Sequence, residues 1–373
     1  MTTAPVRFET LRAAGGLSFG RATLDAPDSL NALSLAMVDR LDQQLSQWAD
    51  DPEIAGVLLD AVGDKAFCAG GDVVGLYRSI LATPPGQVPP LAATFFEHEY
   101  RLDYRIHRYP KPLVCWGHGI VMGGGVGLLA GASHRVVTPG TRMAMPEISI
   151  GLYPDVGGSW LLPRAPGRSG LFLALTGASI NAVDACFAGL ADFVVAHDRH
   201  ESLLAAIATT DWQGEREADA AQLGRLLETL GATAERPVSP LSTHAGRIDD
   251  LIGDDGLEDV AVRLAALAGD PDPWLARAGA AFGKGSPTSA ALAFELQRRG
   301  RRLSLADVFR LEWQASIGCC LHGDFAEGVR ALLIDKDKQP RWQPATLAEV
   351  GPEWVEAHLR SHFEGAHPLA DLL

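Results

Sequence analysis

The sequence lacks a long apolar run. No stretch of its 373 residues approaches the ~18 consecutive apolar residues that a membrane-spanning helix requires. The amino-terminal segment MTTAPVRFETLRAAGG also lacks the hydrophobic centre of a secretory signal peptide. We therefore expect no membrane partner and a cytoplasmic location.

Cysteine is scarce and its spacing is irregular. The five cysteines are odd in number and show no metal-ligand spacing, and the histidines show no paired ligand spacing either. A reducing compartment fits this pattern better than a disulfide framework does. The sequence therefore predicts no metal site. The cysteines are Cys68, Cys115, Cys186, Cys319 and Cys320.

Basic residues are outnumbered, with 32 Lys and Arg against 46 Asp and Glu and a formal net charge of −14. No face dense in Lys or Arg is visible, which argues against nucleic-acid binding. With 47% hydrophobic and 21% charged residues, the chain is long enough to bury a large core. We expect a globular protein with one large and one smaller domain. A homo-oligomer is possible, because helical periodicity fits packing on the same chain and on a neighbour.

Strand-like and helix-like segments alternate up to about residue 200, which predicts an α/β core. Ser34 is placed to cap a helix whose apolar face carries residues at 3-4-3 spacing, from Val38 to Trp48. Further helices are expected around 95–106 and from near Ser169. The expected strands cover 18–25, 54–59, 113–116, 135–137 and 193–195. Beyond residue 200 the pattern is mainly helical, so we divide the chain into 1–197 and 198–373.

Two glycine turns follow strand candidates. One contains Gly123, Gly124, Gly125 and Gly127 and precedes helix-compatible residues; the other is AFCAGGD at 66–72. Glycine lets a backbone approach a ligand closely, and a helix N-terminus offers unpaired N–H groups to an oxygen that is negative or becoming so. The alternative is that these glycines only permit turns and close packing.

Two carboxylates, Glu147 and Asp155, follow the glycine turn at 123–127 in the sequence. Glu147 stands in the apolar setting Met145-Pro146-Glu147-Ile148, which would raise its pKa if it were buried. It could act as a general base for water, or as a nucleophile that forms a mixed anhydride. Asp155 stands in a loop of turn-forming residues. The alternatives are a helix-capping surface Glu and an ordinary turn Asp.

Four motifs together resemble the crotonase superfamily, the enoyl-CoA hydratase/isomerase group. They are LNAL (30–33), AFCAGGD (66–72), HGIVMGGGVGL (118–128) and PEISIGLYPDVGG (146–158). The later segments SPTS (286–289) and DFAEGVRALLIDKDKQPRW (324–342), with the long helical tail, are similar to the branch of 3-hydroxyisobutyryl-CoA hydrolases. These segments cover most of the chain.

The resemblance implies a fold and a site. The fold would be a superhelix of repeated ββα turns followed by an α-helical C-terminal region. The N–H groups of Gly71 and Gly124 would grip the thioester carbonyl of an acyl-CoA, and Glu147 would be the catalytic carboxylate. Asp155 would handle the substrate's 3-hydroxyl group. Glu99, Ala66 and Gly70 complete the expected substrate-binding set, although Glu99 could instead be an exposed charge on an amphipathic helix.

One position departs from the hydratase pattern. Hydratases of this group carry a second catalytic Glu three residues after the oxyanion glycine, where this chain has Gly127. The resemblance therefore favours hydrolysis of 3-hydroxyisobutyryl-CoA in valine breakdown, with no cofactor beyond the CoA of the substrate. An enoyl-CoA isomerase or hydratase-type enzyme on the same fold, or a non-catalytic acyl-CoA binding protein, remain the alternatives.

Overall fold

The computed structural model describes residues 4–363 and 365–373. The chain forms two compact units. The first contains the chain up to Gly71 together with Leu102–Met143 and Ile180–Ser239, and the second contains Asp72–Arg101, Ala144–Ser179 and Pro240–Leu373. The division into 1–197 and 198–373 stays a prediction.

Nine strands are present in the described residues and form two sheets. They are β1 Val6–Arg12, β2 Ser18–Leu24, β3 Ile54–Ala61, β4 Ala66–Cys68, β5 Leu113–Gly117, β6 Ile120–Met122, β7 His134–Val137, β8 Arg142–Ala144 and β9 Phe193–Val194. The larger sheet has the order β1-β2-β3-β5-β7-β9, antiparallel between β1 and β2 and parallel from there on. The smaller sheet has the order β4-β6-β8.

The helices divide into an early and a late set. The early ones are α1 Leu35–Asp50, α2 Val73–Ala82, α3 Pro90–His107, α4 Gly124–Ala130, α5 Gly158–Leu161, α6 Ser169–Thr176, α7 Ala182–Phe187, α8 His200–Thr209 and α9 Arg216–Gly231. The late ones are α10 Pro240–Thr243, α11 Ala245–Ile252, α12 Leu257–Ala266, α13 Pro273–Phe282, α14 Pro287–Gly300, α15 Leu305–Leu321, α16 Asp324–Val329 and α17 Pro352–Leu359. In the described residues no helix is both long and apolar enough to cross a bilayer.

The strand order shows the repeated ββα plan. Successive repeats contribute one strand to each sheet: β3 and β4 precede α2, and β5 and β6 precede α4. β7 and β8 follow in the same way and precede the 3-10 helix Glu147–Ile150. The predicted α/β architecture, with a helical region after it, is therefore confirmed.

Local patterns explain the first of these elements. Ser34 caps α1 by accepting a hydrogen bond from the Met37 N–H at 3.3 Å, as expected, because the first N–H groups of a helix have no partner within it. The predicted apolar face of α1 is buried. In β3, residues 54–60 are buried on both faces, which is typical of a central parallel strand.

The core of the first unit lies on one face of the larger sheet. Side chains of the strands, such as Phe19 and Trp116, pack there with apolar residues of α8 and α9. Phe19 also contacts the Trp212 ring, with the ring centres 4.6 Å apart. Burial of this kind is the main stabilising contribution to such a core.

In the second unit, late helices pack against the segment 146–159. Gly300, at the end of α14, lies so close to Ser159 that a Cβ there would be 1.8 Å from the Ser159 carbonyl oxygen. Gly328 of α16 makes a similar approach to the backbone of Ile150. The C-terminal helices therefore fix the course of this segment, which carries two of the predicted site residues.

Candidate active site

The first glycine turn directly follows β4. Gly70 has φ +112°, a conformation that side chains rarely adopt, and its carbonyl oxygen accepts the Leu33 N–H at 2.8 Å. Gly71 forms an isolated parallel bridge with Leu33. The turn is thus anchored to the LNAL segment that precedes α1.

The second glycine turn lies between β6 and α4. Gly123 has φ +48° and ψ −121°, and α4 begins at Gly124. The Val126 N–H donates to the Gly123 carbonyl oxygen at 2.7 Å. N–H groups earlier in the first turn, including that of Gly124, have no acceptor within the helix. They are available to an oxygen that carries partial negative charge.

The two glycine turns lie against each other. A Cβ on Gly70 would be 4.0 Å from the Gly124 nitrogen, and a Cβ on Gly125 would be 2.5 Å from the Cys68 carbonyl oxygen. The parallel pairing of β4 with β6 explains this, because both strands end at the same edge of the smaller sheet. The predicted oxyanion residues Gly71 and Gly124 are therefore brought together.

Ala66 lies at the start of β4, 2% exposed. Its carbonyl oxygen accepts a hydrogen bond from the Asn31 side chain at 3.0 Å. Ala66, Asn31 and Lys65 belong to the lining of a cavity of about 320 Å³ in the first unit. A substrate-binding role for Ala66 stays a prediction.

Glu147 lies in the second unit, where Pro146 leads into the short 3-10 helix that Glu147 begins. The residue is 5% exposed, and within the described residues its Oε2 has no hydrogen-bond partner. Burial holds the pKa of the Glu147 carboxyl well above its usual range, and the charges of Asp155 and Glu99 raise it further. A buried carboxyl of raised pKa can take up a proton near neutral pH.

Asp155 is also buried, at 5% exposed. The Tyr100 hydroxyl donates to its Oδ2 at 2.7 Å. Burial raises the pKa of Asp155 to about 6, while the hydrogen bond from Tyr100 acts in the opposite direction and favours the ionised form.

Glu99 precedes Tyr100 on α3 and is 3% exposed. Burial, and then the charge of Asp155, hold the pKa of Glu99 well above its usual range. Its Oε1 has no hydrogen-bond partner among the residues that the structure describes. Because Glu99, Glu147 and Asp155 interact electrostatically, they titrate as a coupled set rather than independently. We call these three residues the acidic cluster.

A fourth buried acid, which sequence reasoning missed, supports the Asp155 loop from α15. The two carboxyl oxygens of Glu312 accept the N–H groups of Gly157 and Ser159, each at 2.8 Å. Burial, and then the charge of Asp155, raise the pKa of Glu312 to about 8. The available signal was a Glu directly between the apolar residues Leu311 and Trp313 of a helical segment, since a buried charge is rare unless it has partners.

Three hydroxyl groups form a further set that the sequence did not reveal. The Ser316 Oγ lies 2.7 Å from the Tyr100 hydroxyl and 2.8 Å from the Tyr153 hydroxyl. The Tyr153 hydroxyl also donates to the Glu312 carbonyl oxygen at 2.5 Å. These contacts join segments separated by up to 216 residues. Periodicity along the sequence does not report contacts of that range.

Two further residues beside the glycine turns, His118 and Cys68, have structural surroundings. His118 Nε2 lies 2.6 Å from the Gly63 carbonyl oxygen, and Cys68 is fully buried. Within residues 4–363 and 365–373, no group of three or more His, Cys, Asp or Glu side chains is arranged to hold a metal ion.

Known proteins resemble this chain over most of its length. A family profile described as Enoyl-CoA hydratase/isomerase matches residues 19–359. A curated relative from Danio rerio, "3-hydroxyisobutyryl-CoA hydrolase, mitochondrial", is 40% identical over 90% of this chain and 86% of its own length. The protein of the same name from Gallus gallus is 40% identical over 90% of this chain and 85% of its own.

A solved structure shares the fold. The crystal structure of a carnitinyl-CoA dehydratase from Mycobacterium thermoresistibile has a TM-score of 0.83 and 38% identity, covering 95% of this chain and 96% of that one. The predicted crotonase-type fold and the resemblance to this superfamily are thereby confirmed.

The comparisons correct one expectation. A cytoplasmic location was inferred from the absence of apolar targeting segments, and it is wrong because the curated relatives are named as mitochondrial proteins. Absence of an apolar run does not distinguish cytoplasm from an organelle interior, since targeting segments for mitochondria are amphipathic rather than hydrophobic. The match of one family profile to most of the chain leads to a single conclusion: the chain belongs to the enoyl-CoA hydratase/isomerase family.

Proposed function

We propose that this protein hydrolyses the thioester of 3-hydroxyisobutyryl-CoA to 3-hydroxyisobutyrate and free CoA, a step of valine breakdown. The observation that carries the proposal is the buried acidic cluster, in which Glu147 and Asp155 are electrostatically linked and Tyr100 donates to Asp155. The curated relatives named as hydrolases of this compound agree with it.

In the proposed reaction the N–H groups of Gly71 and Gly124 donate to the thioester oxygen as it gains negative charge. Loss of one such donor typically raises a barrier by ~3 kcal/mol. The proximity of the two glycine turns supports this role, since two donors must reach the same oxygen.

Glu147 has two possible roles. As general base it takes a proton from water while the water oxygen bonds to the acyl carbon; the C–S bond then breaks and the CoA sulfur receives the proton. As nucleophile its carboxylate bonds to the acyl carbon, CoA leaves, and water hydrolyses the mixed anhydride. The raised pKa of Glu147, caused by burial, suits proton transfer near neutral pH.

Asp155 accepts the substrate's 3-hydroxyl group in this proposal, with Glu99 beside it in the acidic cluster. A buried acceptor built for a hydroxyl discriminates against an acyl group that lacks one, because the acceptor is then left without a donor. Burial of Asp155 and Glu99 at 5% and 3% exposure supports such discrimination.

The CoA portion is part of the substrate, and no further cofactor is proposed. The cavity of about 320 Å³ beside Lys65 and Ala66 is our candidate for polar groups of CoA. Its lining also includes the backbone turn at Gly63.

An enoyl-CoA isomerase or hydratase-type reaction is the second candidate. It is favoured by the solved structure described as a carnitinyl-CoA dehydratase. Gly127 argues against a hydratase-type reaction. It is buried within α4, at the position where hydratases of the family carry their second Glu. Without a side chain at that position, two-carboxylate hydration of a double bond has lost one partner.

The test is release of CoA, followed with a thiol reagent, from 3-hydroxyisobutyryl-CoA, isobutyryl-CoA and crotonyl-CoA. We expect rapid release from the hydroxylated substrate. Glu147→Gln should lower kcat by about 10²–10⁴-fold, the usual contribution of a general acid–base group. The matched control is Glu228→Gln, an exposed Glu on α9, which should behave as wild type.

Other outcomes separate the alternatives. Double-bond migration without CoA release would indicate an isomerase. Tight binding of the thioester, with no turnover of any substrate and no effect of Glu147→Gln, would indicate a non-catalytic acyl-CoA binding protein.

A further inference from the structure

Asp155 is linked to a row of hydroxyl groups inside the second unit. Tyr100 donates to its Oδ2 at 2.7 Å, Ser316 follows 2.7 Å from Tyr100, and Tyr153 follows 2.8 Å from Ser316. Tyr100 and Tyr153 are fully buried, as is Ser316. Water therefore does not compete for these bonds, and each has a stronger effect than it would at a surface.

The chemistry of the groups sets the direction of the first two bonds. An ionised carboxylate only accepts, so the single Tyr100 proton is used on Asp155. The Tyr153 proton is used on the Glu312 carbonyl oxygen, so in the contact between Tyr100 and Ser316 the Ser316 hydroxyl is the donor. This bond polarises the Tyr100 hydroxyl and strengthens its bond to Asp155. Burial holds the pKa of Tyr100 well above its usual range, so Tyr100 keeps its proton and remains a donor.

The groups that interact electrostatically with Asp155 come from several elements, and each is acidic or neutral. They are Glu99 and Tyr100 of α3, Glu147 of the 3-10 helix, Tyr153, and Glu312 and Cys319 of α15. Among the described groups that are coupled to Asp155 in this way, none is a Lys, Arg or His. The charge of Asp155 is therefore stabilised by hydrogen bonds and not by a cation.

Within the acidic cluster each ionised carboxyl raises the pKa of its neighbours, so the carboxyls ionise one after another as pH rises. The oxygens Glu99 Oε1 and Glu147 Oε2 have no hydrogen-bond partner among the described residues. Asp155 differs from both in having a short bond from a buried hydroxyl. That bond selects Asp155 as the member of the cluster that ionises first.

We propose that Tyr100, oriented by Ser316, is a positioning residue that keeps Asp155 as the anionic acceptor for the substrate's hydroxyl group, an inference that rests on the proposed function. Tyr100 does not touch the reacting atoms in this account. It acts through Asp155, by fixing one carboxylate oxygen and favouring the charged form.

The test compares Tyr100→Phe with wild type over a range of pH, measuring kcat and KM for 3-hydroxyisobutyryl-CoA and isobutyryl-CoA. The variant removes the donor and leaves the ring. Without the hydroxyl the pKa of Asp155, already raised by burial to about 6, rises further. The acid limb of the kcat/KM profile should therefore move to higher pH.

At neutral pH we expect kcat/KM for the hydroxylated substrate to fall about tenfold, the usual effect of removing a hydrogen bond to a charged group. The loss should shrink as pH is raised, since Asp155 then ionises without help. Isobutyryl-CoA should be affected less. Loss of packing alone would give none of this pH dependence.

A second measurement needs no turnover. Infrared titration of the protonated carboxyl C=O band, assigned with Asp155→Asn, should give a higher midpoint in Tyr100→Phe than in wild type. Ser316→Ala should shift the midpoint in the same direction but by a smaller amount. If Tyr100→Phe does not fold, the comparison is made with Ser316→Ala instead. The matched control is Tyr109→Phe, which removes a buried hydroxyl bonded to the Leu45 carbonyl oxygen at 2.8 Å and should leave the midpoint unchanged.

The outcomes distinguish this inference from the proposed function. Wild-type protein that releases no CoA defeats the proposed function. Suppose instead that wild type is active, and that Tyr100→Phe and Ser316→Ala keep its infrared midpoint and the acid limb of its kcat/KM profile. That result overturns the role of Tyr100 and leaves the proposed function standing.

Discussion

The glycine turns of the first unit and the acidic cluster of the second are built in different ways. The turns depend on backbone conformation close to the residues themselves, such as φ +112° at Gly70 and φ +48° at Gly123. The position of Asp155 depends on side chains far along the chain. Tyr100, which bonds to Asp155, lies 55 residues away in the sequence. Glu312, which holds the Asp155 loop, accepts the Gly157 N–H across 155 residues. Oxyanion donors can thus be supplied by a short motif, whereas the placement of buried charge requires the helices that follow.

The comparison predicts the largest effect where the two glycine turns touch. Gly125→Ala places a Cβ 2.5 Å from the Cys68 carbonyl oxygen, and backbone cannot move aside as a flexible side chain can. We expect the turns to separate, with kcat reduced by at least ~100-fold, as for loss of an oxyanion donor. Overpacking of this kind should also lower the free energy of unfolding by about 1–3 kcal/mol.

Gly140→Ala is the matched control, because a Cβ at that position meets nothing within 4 Å. The CoA release assay and urea unfolding measure both effects. Equal activity of the two variants would show that the contact between the turns does not position the donors.

The next effect concerns the long-range support of the Asp155 loop. Glu312→Ala leaves the N–H groups of Gly157 and Ser159 without their acceptors, at a cost of about 1–3 kcal/mol for each buried donor. Glu312→Gln retains one acceptor oxygen and should cost less. Urea unfolding at constant pH measures the difference, with Glu228→Gln as the exposed control.

Both Glu312 variants should also weaken selection for the hydroxylated substrate, since they release the loop that carries Asp155. Unchanged stability and unchanged selectivity in Glu312→Ala would contradict the view that α15 fixes this loop.

The third effect is a dependence of stability on pH. Burial raises the pKa of Asp155 from 3.8 to about 6, so between these values the folded state binds more protons than the unfolded state. The free energy of unfolding therefore falls as pH rises through this window. Asp155→Asn, which carries no charge, should be more stable than wild type by about 3 kcal/mol above the window and equal to it below.

Urea unfolding at pH values on either side of the window checks the sign. An Asp155→Asn variant that is less stable than wild type at the higher pH would show that the Asp155 charge stabilises the fold. That result would contradict the expectation that a charge buried without a cation beside it destabilises the folded state.

Local features of the fold could be predicted from the sequence. Ser34 predicts the start of α1, and the apolar run at 54–59 predicts β3. Both predictions succeed because helix capping and strand burial depend on residues that are close in the sequence. The glycine turn at Gly123 is predictable for the same reason: only glycine adopts its backbone conformation without strain.

The supports of the acidic cluster could not be predicted in this way. Glu147 and Asp155 can be identified from the residues around them, and Glu99 from the family resemblance. Nothing near these acids in the sequence points to Ser316 or Glu312. Those contacts exist only when α15 packs beside the loop, and packing across more than 150 residues leaves no periodic signal. The roles of the three acids stay predictions.

In the proposed function, Asp155 recognises the hydroxyl group of the substrate while Glu147 acts on its thioester. The most direct test is the ratio of kcat/KM for 3-hydroxyisobutyryl-CoA to that for isobutyryl-CoA, in wild type and in Asp155→Asn. We expect a large ratio in wild type and a fall of at least ~100-fold in the variant, since a site built to bind a hydroxyl loses its discrimination when the acceptor changes. A ratio that is the same in both proteins would contradict the account.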